Sequence, residues 1–338
     1  MKELKTSIGK IIFWLLVIVF FWLVITHFAQ TKQILGVISH GRWYWIALAV
    51  VSQIIFYPVY ARYLEFILKM FGANLDRSKL RQVYLATKFT DIALPLGFIS
   101  KVAFFIRYGA KENQPPLNIG IGTTFAMLTD LVAFLGIAIV TMLLLYIMGQ
   151  PQTYLLVSLL LLALFILITI LFLVQIAVLK RPPNRLVLWI IKQLSRMSGR
   201  GMIDSDQIEK IILEIGSDLK QNHRKIWPGL GLSLIAQLIN MATFAFAYAA
   251  FAGQFNILAI ITGFTAGLLF TIVSITPQGV GIAETVIVTT LRSFGLDLSV
   301  AAAITLAYRG LLYLLPVFVG FYYFSHLELK PKDESIES

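Results

Sequence analysis

Long uninterrupted apolar runs constrain this chain more than any other feature. A helix of about 20 residues crosses a hydrocarbon core of roughly 30 Å. Runs of comparable length occupy residues 8–28, 43–60, 117–148, 153–179, 227–252 and 298–324. The chain is 58% hydrophobic and only 13% charged, whereas about a quarter of the residues in a soluble domain are charged. We therefore predict an all-α polytopic membrane protein with about six full transmembrane helices.

The positive charges lie in short loops beside these runs. With the N-terminus inside, the predicted outer loops hold only Lys32 and Arg42, although the net charge is +11. This bias predicts a multi-pass protein of the cell membrane with both termini cytoplasmic. It also favours anionic lipid over nucleic acid as the partner. The basic segment 181–225 contains amphipathic patterns, which predict interfacial elbow helices that bind anionic lipid.

Cofactor and metal chemistry finds little support in the sequence. The chain has no cysteine, and its four histidines are scattered without metal-ligand spacing. Thiolate sites, cysteine nucleophiles and histidine-based metal motifs are therefore not expected. No nucleotide-binding loop is present either. We predict no cofactor and no metal.

Two segments must enter the membrane and return on the same side for the charge bias to hold. These are residues 83–109, entering from the cytoplasm, and 257–296, entering from outside. The second contains the sequence TPQGVG, 276–281. Proline interrupts a helix, and glycine permits a tight reversal. Broken backbone at membrane depth is tolerated only inside protein or beside water, so the pattern predicts two re-entrant helical hairpins and a cavity.

The two segments resemble each other. Each has a Pro-x-Gly turn, then a charged residue, then an arginine. These residues are Pro95, Gly97, Lys101 and Arg107 in the first segment and Pro277, Gly279, Glu284 and Arg292 in the second. Opposed broken hairpins in two halves are typical of inverted repeats. We predict one transmembrane domain, 1–328, with repeat halves 1–180 and 181–328, and a charged tail, 329–338.

Several charged residues fall at membrane depth: Asp91, Asp130, Glu284 and Arg309. Each costs roughly 2.5–3.5 kcal/mol at the bilayer centre, so we expect partners. We predict that Glu284 pairs with Arg309 and that Asp130 pairs with Lys101. Either pair could hold the structure together or contact substrate. The side chain of Gln278 could bind a headgroup or satisfy loose backbone.

Residues 276–310 resemble the signature of the flippase-like transmembrane proteins, which are similar to the membrane half of lysylphosphatidylglycerol synthase. The resemblance is carried by Pro277, Gly279, Gly281, Glu284, Gly295, Ala301, Ala302, Ala303 and Arg309, and more weakly by Pro95, Gly97 and Arg107. Members often have an acidic residue or further glycines where this chain has Phe98-Ile99-Ser100-Lys101, which leaves the headgroup preference open. No segment could form the synthase's soluble aminoacyl-transferase domain. The resemblance thus implies the half of the synthase that moves a polar or charged lipid between leaflets, and not the lysyl transfer itself.

The favoured hypothesis is a lipid translocase, not an enzyme, that moves a polar or charged headgroup between leaflets. Its substrate-binding residues would be Glu284, Arg309, Gln278, Pro277, Gly279, Gly281, Pro95, Gly97, Lys101, Arg107, Asp130 and Asp91. The alternative is a non-transporting scaffold for a partner transferase, docked through 181–225. A third hypothesis is an intramembrane lipid-modifying enzyme with Glu284 or Asp130 as general acid or base. Self-association is also left open.

Overall fold

The fold is helical wherever this computed structural model describes the chain, which is residues 36–93, 97–149, 223–274 and 276–326 with parts of 153–167. No strand occurs in these ranges. The helices are α1 Trp43–Met70, α2 Arg77–Ala93, α3 Gly97–Lys111, α4 Pro116–Ile147, α5 His223–Phe251, α6 Ile257–Val273, α7 Ile282–Ser293, α8 Leu298–Arg309 and α9 Leu315–His326. A 3₁₀ turn, Pro277–Gly279, precedes α7, and a π-helical turn, Gly310–Leu314, joins α8 to α9.

Four stretches are long and apolar enough to cross a membrane. They are Trp43–Met70, Asn118–Ile147, Ile226–Phe251 and Leu298–His326, and they confirm four of the six predicted spans. The predicted span 8–28, most of 153–179, most of the elbow 181–225 and the tail 329–338 lie outside the described residues.

The first half of α1 exposes apolar side chains and buries small or polar ones. Its exposed residues include Val51, Ile54 and Ile55. Its buried face carries Ala49, Ser52 and Gln53. An amphipathic helix at the surface of a soluble protein has the opposite arrangement. The pattern of α1 is that of a helix surrounded by lipid, with small and polar residues at the helix–helix contact.

Helices α1 and α5 pack against each other as an antiparallel pair that joins the two halves of the chain. The backbone N–H of Arg42, just before α1, donates to the carbonyl of Ala250 near the end of α5 at 3.0 Å. About a third of the way along α1, the hydroxyls of Ser52 and Thr243 lie 2.5 Å apart. The Gln53 amide donates to Asn240 and Thr243 at 3.1 and 2.9 Å. Polar contacts therefore fix the register of the two helices in an apolar medium.

Two helices fold back on each other in each of the segments where a Pro-x-Gly turn was predicted. Helix α2 ends at Ala93 and α3 begins at Gly97, while residues 94–96 lie outside the described part. Helix α6 ends at Val273, and α7 begins at Ile282 after the 3₁₀ turn. In each segment the two helices pack against each other. Each segment thus consists of two helices whose direction reverses between them, and we call the two segments the broken segments.

Close packing of α6 depends on Gly263 and Gly267. A Cβ on Gly263 would lie 2.8 Å from the ring of Phe244 in α5, and one on Gly267 would lie 2.5 Å from Ile287 in α7. The two glycines therefore let α6 approach both neighbours. Their spacing serves helix packing, as is common in membrane proteins.

The neighbours of each helix in the first half recur in the second half. Helix α1 contacts α2 and α4, as α5 contacts α6 and α8. Helix α3 packs on α4, as α7 packs on α8. Helix α2 packs on α9, the second part of the long stretch Leu298–His326, and α6 correspondingly packs on α4, the long helix of the first half. Helix α2 also contacts the turn Pro277–Gly279, so the two broken segments meet inside the bundle.

Candidate functional site

The turn of the second broken segment has an unusual backbone. Gln278, Gly279 and Gly281 have positive φ values of 54°, 66° and 87°. Left-handed conformations are easy for glycine and cost other residues energy. At Gly279 the constraint is also steric, because a Cβ would lie 2.8 Å from the Cα of Thr271. The glycines of the TPQGVG sequence are thus required by the reversal itself.

Arg309, the last residue of α8, holds this turn. Its Nε donates to Glu284 Oε1 at 2.6 Å, and one Nη donates to the Gln278 carbonyl at 2.7 Å. The other Nη donates to the Thr271 hydroxyl at 3.1 Å, and the guanidinium lies 4.2 Å from the centre of the Tyr313 ring. Arg309 is only 6% exposed. One buried cation therefore joins α6, the turn, α7 and α8.

Glu284 completes the arrangement from α7. Its second oxygen accepts the backbone N–H of Gly281 at 2.6 Å. A carboxylate in the first turn of a helix also interacts favourably with the helix dipole. The predicted Glu284–Arg309 pair is confirmed. The Glu284 side chain is 20% exposed, so of the two partners the carboxylate is the more accessible.

The π-helical turn interrupts the helix next to Arg309. Pro316 has no backbone N–H to donate to the preceding turn, and the ladder of α8–α9 widens over Gly310–Leu314. Such π turns occur frequently at functional sites. Here the widened turn follows Arg309 directly and contains Tyr313, whose ring packs on the guanidinium.

A second buried polar cluster lies in the first half of the chain, around Asp130 of α4. One carboxylate oxygen accepts the hydroxyl of Tyr60 from α1 at 2.5 Å, and the other accepts the hydroxyl of Ser233 from α5 at 2.5 Å. Tyr63, one turn from Tyr60, donates to the backbone carbonyl of Ala126 at 2.5 Å. Three helices thus converge on one carboxylate.

Lys101 of α3 does not form the predicted ion pair with Asp130. Its ammonium lies 4.8 Å from the ring centre of Tyr84 and 5.6 Å from that of Tyr60. The prediction of a direct pair is wrong: the oxygens of Asp130 accept hydroxyls from Tyr60 and Ser233, and Lys101 attracts this carboxylate only over a longer distance. The Tyr60 and Tyr84 rings, whose centres lie 4.2 Å apart at a tilt of 30°, contact the ammonium, and Tyr60 also donates to Asp130. Lys101 is held by cation–π contacts, which are weaker than a buried ion pair.

The other predicted site residues are distributed along the two broken segments. Arg107 is exposed on α3, Asp91 lies in the last turn of α2, Gly97 is the first residue of α3, and Pro277 starts the 3₁₀ turn. Pro95 lies outside the described residues. In the described part of the chain, no group of three or more histidine, aspartate or glutamate side chains could hold a metal ion.

Sequence reasoning missed four partners of the predicted residues. These are Tyr60, Tyr84, Thr271 and Ser233. Three of them, Tyr60, Thr271 and Ser233, are polar side chains within or beside apolar runs. Because a polar group in hydrocarbon needs a partner, their position in the sequence indicated that each of these side chains makes a polar contact. The identity of each partner could not be read from spacing, since all four contacts join different helices.

Comparison with known proteins agrees with this architecture. The model of the family described as "Lysylphosphatidylglycerol synthase TM region" matches residues 8–320. A UPF0104 membrane protein of Methanocaldococcus jannaschii is 22% identical over 324 residues, which cover 94% of this chain and 95% of that protein. The match extends over both broken segments and over both polar clusters. The chain therefore belongs to the family of lysylphosphatidylglycerol synthase transmembrane regions.

Proposed function

We propose that this protein is a lipid translocase that moves a polar or charged lipid headgroup between leaflets. The observation that carries the proposal is the contact between the two broken segments, α2 meeting the turn Pro277–Gly279, with a buried charged cluster on each side. Irregular backbone and ionisable groups at membrane depth mark substrate pathways in transporters. Membership of the lysylphosphatidylglycerol synthase family supports lipid as the substrate class.

The two clusters have different roles in this proposal. Lys101 and Arg107 attract the phosphate of the headgroup, and Asp130 keeps the path polar between α1, α4 and α5. Lys101 can move to a phosphate because it breaks no direct ion pair: it leaves ring contacts, worth about 0.5–1 kcal/mol when exposed, and a longer-range attraction to Asp130. In the second cluster, Arg309 holds the turn. Glu284, the more accessible partner, engages a cationic group of the lipid.

The repeated helix contacts and the charge distribution suggest how the two broken segments are oriented. We infer two re-entrant hairpins in an inverted repeat, with a water-filled path between their tips and with both termini cytoplasmic. The acyl chains stay in lipid while the headgroup crosses. No ATP-binding motif occurs in the sequence, so transport is passive, ion-coupled or driven by a partner, and the proposal includes no covalent step.

Reconstitution tests the proposal. The purified full-length protein is placed in liposomes that carry a labelled phospholipid, and dithionite reduction reports how fast the label reaches the outer leaflet. We expect Lys101→Gln, Asp130→Asn and Glu284→Gln to bring the rate down to that of empty liposomes. Matched controls are Asp297→Asn and Arg292→Gln, which remove charge from exposed residues and should keep the wild-type rate.

The opposite result points to the scaffold hypothesis. If the folded wild-type protein moves neither zwitterionic, anionic nor aminoacylated phospholipid, translocation is contradicted. Co-purification with a membrane transferase through the basic segment 181–225 would then identify the protein as a partner subunit. Gel filtration in detergent and circular dichroism establish that each variant is folded before rates are compared.

A further inference from the structure

A cleft opens between α1 and α5, on the face where α1 ends and α5 begins. Its volume is about 540 Å³, within the range of small-molecule sites. The lining residues are Arg62, Glu65, Phe66, Lys69, Arg77, Pro228, Gly231, Leu232 and Ile235. None of them belongs to the two polar clusters described above. The cleft is apolar on its α5 wall and charged along its α1 and α2 rim.

Two glycines of α5 lie at the cleft and have different effects on its shape. At Gly229 a Cβ would lie 2.8 Å from the Ile67 side chain, so this glycine brings α5 onto α1. At Gly231, two residues further on, a Cβ would meet no atom within 4 Å. Glycine inside a helix costs roughly 0.5–1 kcal/mol relative to alanine. Packing accounts for Gly229, whereas Gly231 leaves space in the wall of the cleft.

The rim carries more positive than negative charge. Glu65 accepts Lys69 Nζ at 2.9 Å and Arg77 Nε at 2.7 Å, which fixes both cations at one edge. Arg62 lies one helical turn before Glu65 and forms no ion pair with any carboxylate in the described part of the chain. Three cations against one carboxylate leave a surplus of positive charge, which suits an anionic group.

The surroundings of the cleft are those of the membrane interface. Trp227, beside Pro228, is 74% exposed, and tryptophan prefers the boundary between headgroups and hydrocarbon. From the cleft, α5 continues with exposed Leu234, Ile235 and Leu238, an apolar surface that leads toward the hydrocarbon. A ligand here has its charged end at the rim and an apolar part along α5.

We propose that this cleft binds an anionic phospholipid, with its phosphate at Arg62, Lys69 and Arg77 and one acyl chain against Phe66, Leu232 and Ile235. The distribution of lysine and arginine assigns this face to the cytoplasmic leaflet, where anionic lipids are attracted to such residues. The lipid in this cleft is a bound partner of the fold. Its binding does not require that the protein translocates lipid.

Quenching of Trp227 by brominated lipid tests the proposal. Full-length protein is reconstituted in nanodiscs of phosphatidylcholine and phosphatidylglycerol, with bromine on the acyl chains of one lipid at a time. Comparison with Trp227→Phe isolates the signal of this residue among the six tryptophans. We expect phosphatidylglycerol to quench more strongly at equal mole fraction. Arg62→Gln should lower this preference about fivefold, the effect of one surface cation.

A matched pair of glycine variants locates the lipid in the cleft. Gly231→Leu fills the open space and should abolish the preference for phosphatidylglycerol. Gly136→Leu is the control, because Gly136 is also an exposed helical glycine with no atom within 4 Å of a Cβ, and the preference should persist.

Three outcomes would overturn the proposal. The first is equal quenching by the two lipids, and the second is an unchanged preference in Gly231→Leu. The third is no quenching by either lipid, which would mean that another part of the chain or a second copy fills the cleft. The scrambling assay is a separate measurement, so loss of transport with an intact lipid preference would contradict the translocase proposal alone.

Discussion

The two broken segments use buried charge in opposite ways. In the second, the cation lies on the long last helix pair and the acid on the broken segment, and they form a direct ion pair at 2.6 Å, while the cation also binds the turn. In the first, the acid lies on α4 and the cation on the broken segment, and tyrosines contact each of them without a direct ion pair. Similar helix contacts therefore support two different units. In the second unit the Arg309 side chain is fixed by several hydrogen bonds, and in the first unit the Lys101 side chain is free to change its position.

This difference indicates how a repeated architecture can divide its tasks. A guanidinium that donates to a carboxylate, a carbonyl and a hydroxyl loses several contacts when it turns toward a ligand. An ammonium over two rings, with no direct ion pair to break, loses less. We expect Lys101 of the first unit to move toward a headgroup and Arg309 of the second to keep the turn in place. The following changes test that division, from the largest expected effect to the smallest.

Replacing the buried cation of each unit by methionine should give the largest difference in stability between the two units. Arg309→Met leaves Glu284 unpaired in a mostly buried position, so the free energy of unfolding should fall by about 3–5 kcal/mol. Lys101→Met removes cation–π contacts and a longer-range attraction to Asp130 but no direct ion pair, so it should cost less, about 1–2 kcal/mol. Unfolding in mixed micelles with increasing dodecyl sulfate, followed by circular dichroism, measures both. Equal losses in the two variants would contradict the division.

Substitution of the glycines in the turn should have the next largest effect on stability. Gly279→Ala combines a positive φ with a contact to the Thr271 backbone, and we expect a loss of about 1–3 kcal/mol from backbone strain, with the steric contact placing it at the upper end. Gly281→Ala shares the positive φ but meets no neighbouring atom, so its loss should be smaller. Thermal denaturation of the two proteins in one detergent makes the comparison. A larger loss at Gly281 would show that the turn is not held against α6.

Substitution of two tyrosines in α1 tests how much the hydrogen bonds around Asp130 stabilise the protein. Tyr60→Phe removes a donor to a carboxylate, which should cost about 1.5–3 kcal/mol. Tyr63→Phe removes a donor to the neutral carbonyl of Ala126 and should cost about 0.5–1.5 kcal/mol. If Tyr60→Phe is the milder change, Asp130 is not stabilised by this hydroxyl. Comparing dodecyl sulfate midpoints for both variants decides the order.

Loss of the hydroxyl contact between α1 and α5 should have the smallest effect on stability. Ser52→Ala removes the hydroxyl that meets Thr243 across α1 and α5. Polar contacts between membrane helices average only about 0.6 kcal/mol, because the unfolded chain in lipid also finds partners. A loss well above this value would mean that the pair of α1 and α5, and not the two hairpin units, dominates stability. The same micelle titration resolves the difference.

The membrane-spanning architecture could be predicted because it follows from composition and length. Backbone groups in lipid must bond within their own segment, so a run of about 20 apolar residues has to be a helix. All four spans found in the described residues were identified in this way. The break at Pro277 followed from the chemistry of proline and glycine, which is also local.

The Glu284–Arg309 pair could be predicted for a different reason. Two opposite charges in neighbouring apolar segments are costly apart, and each segment offered few alternatives. The same reasoning failed for Lys101 and Asp130. There, Tyr60 and Ser233 supply hydroxyls from helices that are distant in sequence, and nothing in the spacing of residues indicated that α1, α4 and α5 converge at one point.

The sequence by itself determined that the chain is a bundle of membrane helices, interrupted at a proline-glycine turn and carrying charges that need partners. These properties depend on the solvation of individual segments, which composition describes. Only the tertiary structure decided which partner each charge has, that α2 meets the turn of the other segment, and that a cleft opens beside Gly231. Those properties depend on the relative placement of helices, which packing across the whole bundle sets.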